Sequence, residues 1–215
     1  MNLFTVFDPC TGVFSLNWFS IFFFVLFVPL NFWFCKGLLM ILFTNFVYFF
    51  FREVSNLTIY LNSILFFLSL FFYVMVINLI GLIPYVFTSS SHLVFSLGLS
   101  LPFWFSLMFF GWLNNSNYMF MHLVPMGTPY LLMPFMVLIE TISNLIRPFS
   151  LAVRLSANMI AGHLLMSLLG GSTCLSPLMF IFFFVYLVIF VFELAVSFIQ
   201  SYVFFTLSIL YSSEV

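Results

Sequence analysis

Apolar positions run through this chain in long unbroken stretches, and the few polar residues fall mostly between them. The first stretch, 16–34, matches one membrane crossing of about 20 residues, with Pro29 inside it and Lys36-Gly37 at its end. The next, 37–51, is bracketed by Lys36 and by Arg52-Glu53. It is too short to cross, which predicts a helix lying in the interface. Spans over 64–87 and 92–113 form a predicted transmembrane hairpin with Thr88-Ser89-Ser90-Ser91 as its polar tip, and Asn114-Asn115-Ser116-Asn117 reads as an aqueous loop. Two longer segments follow, 129–170 and 177–211, with Gly170-Gly171-Ser172 and Pro177 marking the turn between them. At 1.5 Å per residue each reaches roughly 50–60 Å against about 30 Å of hydrocarbon, so they are predicted to tilt strongly or to break. No linker separates domains and no repeat is present. The expectation is an all-α integral membrane protein with one membrane domain over 1–215.

Composition sharpens that picture. The chain is 65% hydrophobic and 4% charged, where a soluble domain carries about a quarter charged residues. An ordinary wet surface is therefore excluded. The 37 phenylalanines read as coding bias acting wherever lipid accepts any apolar residue, a bias common in organelle genomes. A net charge of −1 excludes nucleic acid, because phosphates need a basic surface. Cys10, Cys35 and Cys174 are scattered without metal spacing and read as packing residues, so neither a metal nor a cofactor is predicted. Asp8 precedes any Lys or Arg, which argues against a cleaved leader. Two of the four basic residues, Lys36 and Arg52, flank the interfacial stretch. The positive-inside rule then puts that stretch on the inner side and the N-terminus across the membrane.

Charge position carries the candidate chemistry. Glu140, Arg147, Arg154 and Glu193 lie inside the two long segments, and a charge at bilayer depth costs about 2.5–3.5 kcal/mol on insertion scales. Glu140, Arg147 and Arg154 are spaced by seven, drifting only about 20° per step on a helix. Ser143, Ser150, Ala157, Asn158 and Ala161 fall on or near the same side, so small residues beside Arg154 let another helix approach. Arginine stays charged at any relevant pH, which suits it to attract a carboxylate that alternates between protonated and ionised forms. Glu193 and Gln200 are again seven apart with Ser197 between them. His163 lies nine residues beyond Arg154, on the opposite side of an ideal helix and towards the returning segment and Glu193. A His and a Glu facing water suit proton relay. The blander alternatives are a structural Arg154 paired with Glu140 or Glu193, a Glu140 that meets interfacial water, and an Arg147 that neutralises Glu140 or holds a lipid phosphate. His92 and His122 border polar loops and read as interfacial histidines.

The run Leu151-Ala-Val-Arg154-Leu-Ser-Ala-Asn158-Met-Ile-Ala-Gly-His163 resembles the most diagnostic segment of subunit a of the rotary ATP synthase. Glu140-Thr-Ile-Ser-Asn-Leu-Ile-Arg147-Pro, Asn78-Leu-Ile-Gly-Leu-Ile-Pro84-Tyr, Pro125-Met-Gly-Thr-Pro129, Glu193-Leu-Ala-Val-Ser-Phe-Ile-Gln200 and Phe7-Asp8-Pro9 are similar to the same family in its mitochondrial form. The resemblance implies two long tilted helices curving around the c-ring of proteolipid subunits. Arg154 becomes the essential arginine facing the ring carboxylates. His163 and Glu193, with Gln200, line the channel from the intermembrane space, Glu140 lies towards the matrix-side channel, and Asn158 belongs to the proton path. The role of Arg147 stays open. Bacterial members generally carry Glu and His the other way round, so His163 with Glu193 looks mitochondrial. Implied partners are the c-ring, the other membrane and peripheral-stalk subunits, and lipid. The implied location is the mitochondrial inner membrane. The chain carries no phosphate-binding Gly-rich loop for a nucleotide. A haem- or quinone-binding respiratory subunit, which needs paired axial ligands, and a scaffold without a proton path are the alternatives.

Overall fold

A chain surrounded by lipid must satisfy its backbone within each segment, and among transmembrane solutions only helices and closed barrels do so. The computed structural model, describing residues 3–27, 37–57, 61–83, 86–124, 129–172 and 179–214, is mostly helical, with no strand among these residues. Among the described residues four helices are long and apolar enough to cross a membrane: α3 Leu61–Gly81, α4 Leu93–Asn114, α6 Met133–Ser172 and α7 Met179–Glu214.

The N-terminal part is less regular. After a 3₁₀ turn at Leu3–Phe7, the apolar stretch begins as 3₁₀ helix over Leu16–Phe23 and turns α-helical at α1, Phe24–Phe27. The rest of the predicted 16–34 crossing lies outside the described residues. The predicted interfacial stretch 37–51 is helical from Leu38 onward, as part of α2, Leu38–Leu57, which extends past Arg52-Glu53.

Helix α3 is the centre of the molecule. Its Ile64, Phe67, Leu68, Phe71 and Phe72 form one core with Phe50 and Val54 of α2 and Phe205 and Ile209 of α7. Phe71 stands 4.6 Å from Phe50 and 5.1 Å from Phe205, centroid to centroid. One turn further, Val74 packs with Leu151 and Leu155 of α6 and Phe204 of α7. Beyond that, Leu82 meets Met159 and Met166. Lipid is as apolar as these side chains, so close packing and dispersion select this arrangement, not the exclusion of water.

Two polar segments differ from their sequence-based expectation. The Thr88–Ser91 tip is folded inward: all four residues are buried, with Thr88 Oγ1 and Ser91 Oγ 2.9 Å apart and Ser91 Oγ donating to the Thr88 carbonyl at 2.7 Å. Thr88 and Ser91 satisfy each other locally, which lowers the cost of their burial, whereas Ser90 Oγ is buried with no hydrogen-bond partner among the described residues. The expected Asn114–Asn117 loop reduces to a one-residue break at Asn115, after which α5, Ser116–His122, begins. The Asn115 amide still donates to the Gly111 carbonyl at 2.9 Å.

The α6–α7 pair carries nearly all the intramembrane charge. Helix α6 runs unbroken through Pro148. Serine hydroxyls along both helices bond back to carbonyls one turn earlier, as at Ser143, Ser150, Ser197 and Ser201. They therefore need no partner elsewhere. Both helices leave broad apolar faces outside the chain's own core, including Val153 and Leu165 on α6 and Phe184, Val191 and Phe192 on α7.

Candidate functional site

The two long helices run antiparallel, and three contacts set their register. Arg147 of α6 lies over the ring of Tyr211 of α7, 5.2 Å from its centroid. Asn158 Nδ2 donates to Gln200 Oε1 at 3.0 Å. The Glu193 carboxylate lies directly against Gly162, where even a methyl group would occupy its place. Going up α6 thus means going down α7, and the polar residues sort into two groups at opposite ends with Arg154 between them.

One group gathers around His163 and Glu193. Glu193 is buried although it is an acid in an apolar helix. The absence of a Cβ at Gly162 makes the room, a close helix–helix approach of the kind small residues permit. His163, the next residue on α6, lies within hydrogen-bonding reach of the Gly81 backbone at the end of α3. Its Nε2 is buried with no hydrogen-bond partner among the described residues. Phe7 of the N-terminal turn covers the same ring edge-on, centroids 6.4 Å apart. Asn78, three residues before Gly81 on α3, is fully buried, and neither amide atom has a hydrogen-bond partner among the described residues. A buried polar group of that kind is an exception in folded proteins and calls for a functional or solvent-linked reason. Asn78 and Gly162 both lie in runs already singled out, but a single Asn or Gly in an apolar helix carries no local sign of what it faces.

The second group lies at the other end. Arg147 Nη2 is 3.9 Å from Glu140 Oε1, with both side chains about 30% exposed. Beside them a cavity of about 50 Å³ is lined by Asn144 and Arg147 of α6, Tyr211 of α7, Trp112 of α4 and His122 of α5, among others. Sequence separation hid His122, which looks like a loop histidine until α5 folds back on this end.

Arg154 belongs to neither group. It sits at the middle of the 40-residue α6, exposed, with Ala157 and Ala161 exposed along the same side. Among the described residues it makes no hydrogen bond or ion pair. The structural alternative, Arg154 paired with Glu140 or Glu193, is therefore not the arrangement adopted: Glu140 meets Arg147 and Glu193 meets Gly162. A permanent cation at mid-helix is costly in lipid and marks a functional position by default.

Comparison with known proteins supplies an independent line. The family model described as ATP synthase A chain matches residues 13–213. ATP synthase subunit a of Aedes albopictus is 50% identical over 222 residues, covering 100% of this chain and 98% of its own length. The subunits a of Anopheles quadrimaculatus and Drosophila melanogaster are each 48% identical, over 222 and 220 residues, with the same coverage.

Proposed function

The chain belongs to the ATP synthase A chain family, and on that premise we propose that it is the stationary proton-translocating subunit a, with Arg154 facing the carboxylates of a rotating c-ring. Two half-channels meet the ring on either side of this arginine. His163, Glu193, Asn158 and Gln200 line the half-channel from the intermembrane space. Glu140 lines the matrix-side half-channel. A proton arriving through one half-channel neutralises a ring carboxylate, which then rotates through lipid. After nearly a full turn the carboxyl group reaches the other half-channel and releases its proton.

One observation carries this reading: Arg154 stands exposed at mid-helix with no hydrogen bond or ion pair among the described residues. At 4 Å an ion pair is worth about 4 kcal/mol at an effective dielectric of 20. That attraction favours the ionised carboxylate beside the arginine and still permits exchange. The fixed positive charge between the half-channels also repels a proton passing directly from one to the other. The buried, unpartnered His163 Nε2 and Asn78 amide support a hydrated path at the first half-channel, because such groups need water or a polar partner. The two long helices lie strongly tilted against the ring, since 40 and 36 residues exceed what an upright crossing uses. The location is the mitochondrial inner membrane, with the N-terminus in the intermembrane space. The c-ring, the remaining stator subunits and lipid cover the exposed faces.

Arg154→Ala in the assembled synthase tests the reading. Loss of ATP-driven proton pumping with the complex intact on a native gel is expected. Normal pumping by that variant overturns the mechanism.

A further inference from the structure

The matrix-side group contains more than the ion pair. A cavity of about 50 Å³ lies among Trp112, His122, Asn144, Arg147 and Tyr211. A water needs only about 10–15 Å³ of such space, so this cavity has room for water. Its polar lining supplies the hydrogen-bond partners that such water needs. The inner wall holds Arg147, 3.9 Å from the Glu140 carboxylate and stacked on Tyr211. The outer wall holds His122, an exposed residue on the short α5. The cavity thus lies between the exposed imidazole and Arg147, which lines it and carries the contact to Glu140. Arg147 beside Glu140 leaves the inner pair near electrical neutrality, so a proton moving through the cavity does not meet an uncompensated cation.

We propose that His122 is the outer proton-exchange group of the matrix-side half-channel, passing protons between bulk solvent and Glu140 through water in this cavity. The step is one proton relayed. In the pumping direction the imidazole takes it from bulk and gives it to cavity water, and an ionised Glu140 receives it. In the synthesis direction each transfer reverses. Imidazole suits this place because histidine is the side chain that ordinarily titrates between pH 5 and 8. The titratable groups around it are Arg147 and Glu140 from α6, Tyr211 from α7, and Tyr118 from its own helix, whose ring lies 6.5 Å away. The inference rests on the placement of Glu140 under Proposed function and adds to it a residue that the resemblance does not assign.

The test uses whole synthase reconstituted in liposomes, where added ATP drives only complexes whose matrix side faces outward, so external pH sets matrix-side pH. His122→Gln is expected to pump near the wild-type rate at pH 6, where free protons are abundant. At pH 8 its rate is expected to fall about tenfold, less than a directly reacting proton-transfer group contributes, because bulk water also reaches the cavity. Millimolar imidazole in the medium restores it. Asn144→Leu, which fills the cavity with apolar atoms, is expected to slow pumping at pH 8 without imidazole rescue, and it tests the water path even if the histidine variant fails to assemble. An unchanged pH profile in His122→Gln, a loss that neither pH nor imidazole moves, or normal pumping by Asn144→Leu each overturns the proposal. Arg154→Ala in the same liposomes separates the two readings. If it is inactive while His122→Gln is normal, only the relay fails; if it pumps, the underlying function fails.

Discussion

Gly162 and Glu193 occupy what is in effect one position: the carboxylate of α7 fills the space that a side chain on α6 at 162 would take. The burial of an acid in a membrane helix is thus coupled to the absence of a single carbon on its neighbour.

Gly162→Ala should therefore displace the carboxylate without removing any charge. Misplacing a reacting group by about 1 Å can cost on the order of a hundredfold in rate, and a loss approaching that size in ATP-driven pumping is expected with normal complex abundance. Wild-type pumping by this variant means Glu193 does not need its observed position.

The Asn158–Gln200 hydrogen bond joins the two long helices next to Arg154. Gln200→Leu leaves the Asn158 amide without its partner and is expected to destabilise the subunit by about 1–3 kcal/mol. The Asn158→Leu/Gln200→Leu double variant is expected to lose less than the two single losses added together. Thermal release of the subunit from detergent-solubilised synthase measures each, and strict additivity would show that the pair is not coupled.

Asn78 is buried with both amide atoms unpartnered. Replacement by Leu removes a polar group that the fold leaves unsatisfied, so assembly is expected to be as stable or more so, while proton flux falls. That opposite movement is the signature of a polar group kept for function. A Leu variant with unchanged flux removes Asn78 from the proton path.

Cys10 is exposed ahead of the first apolar stretch, and its amide donates to Asp8 Oδ1 at 3.1 Å. The Asp8 carboxylate, by hydrogen bond and by charge, pushes the Cys10 thiol above its usual range. A raised pKa leaves less thiolate at a given pH, so alkylation at pH 8 should be slow and Asp8→Asn should accelerate it. An impermeant maleimide should reach Cys10 in mitochondria with the outer membrane opened and intact inner membranes, with Cys10→Ser as the blank. Labelling only from the matrix face reverses the proposed topology.

Whatever depends on local chemistry could be read directly from the order of the residues. Unbroken apolar runs can only be helices in lipid, so the class and the long α6 and α7 were legible. The helical period placed Arg154 with Ala157 and Ala161 on one side and His163 on another, because those relations lie within one helix. Partners across helices were not legible. In a soluble protein an apolar stripe marks the buried face, but here Phe67 and Phe71 in the core and Phe184 and Phe192 on the outside are the same residue type, since lipid and packed neighbours are both apolar. Burial of α3, the inward fold of Thr88–Ser91, the seating of Glu193 on Gly162 and the cavity joining His122 to Arg147 were therefore decided by the tertiary structure alone. Close packing selects one register among helices that hydrophobicity cannot tell apart.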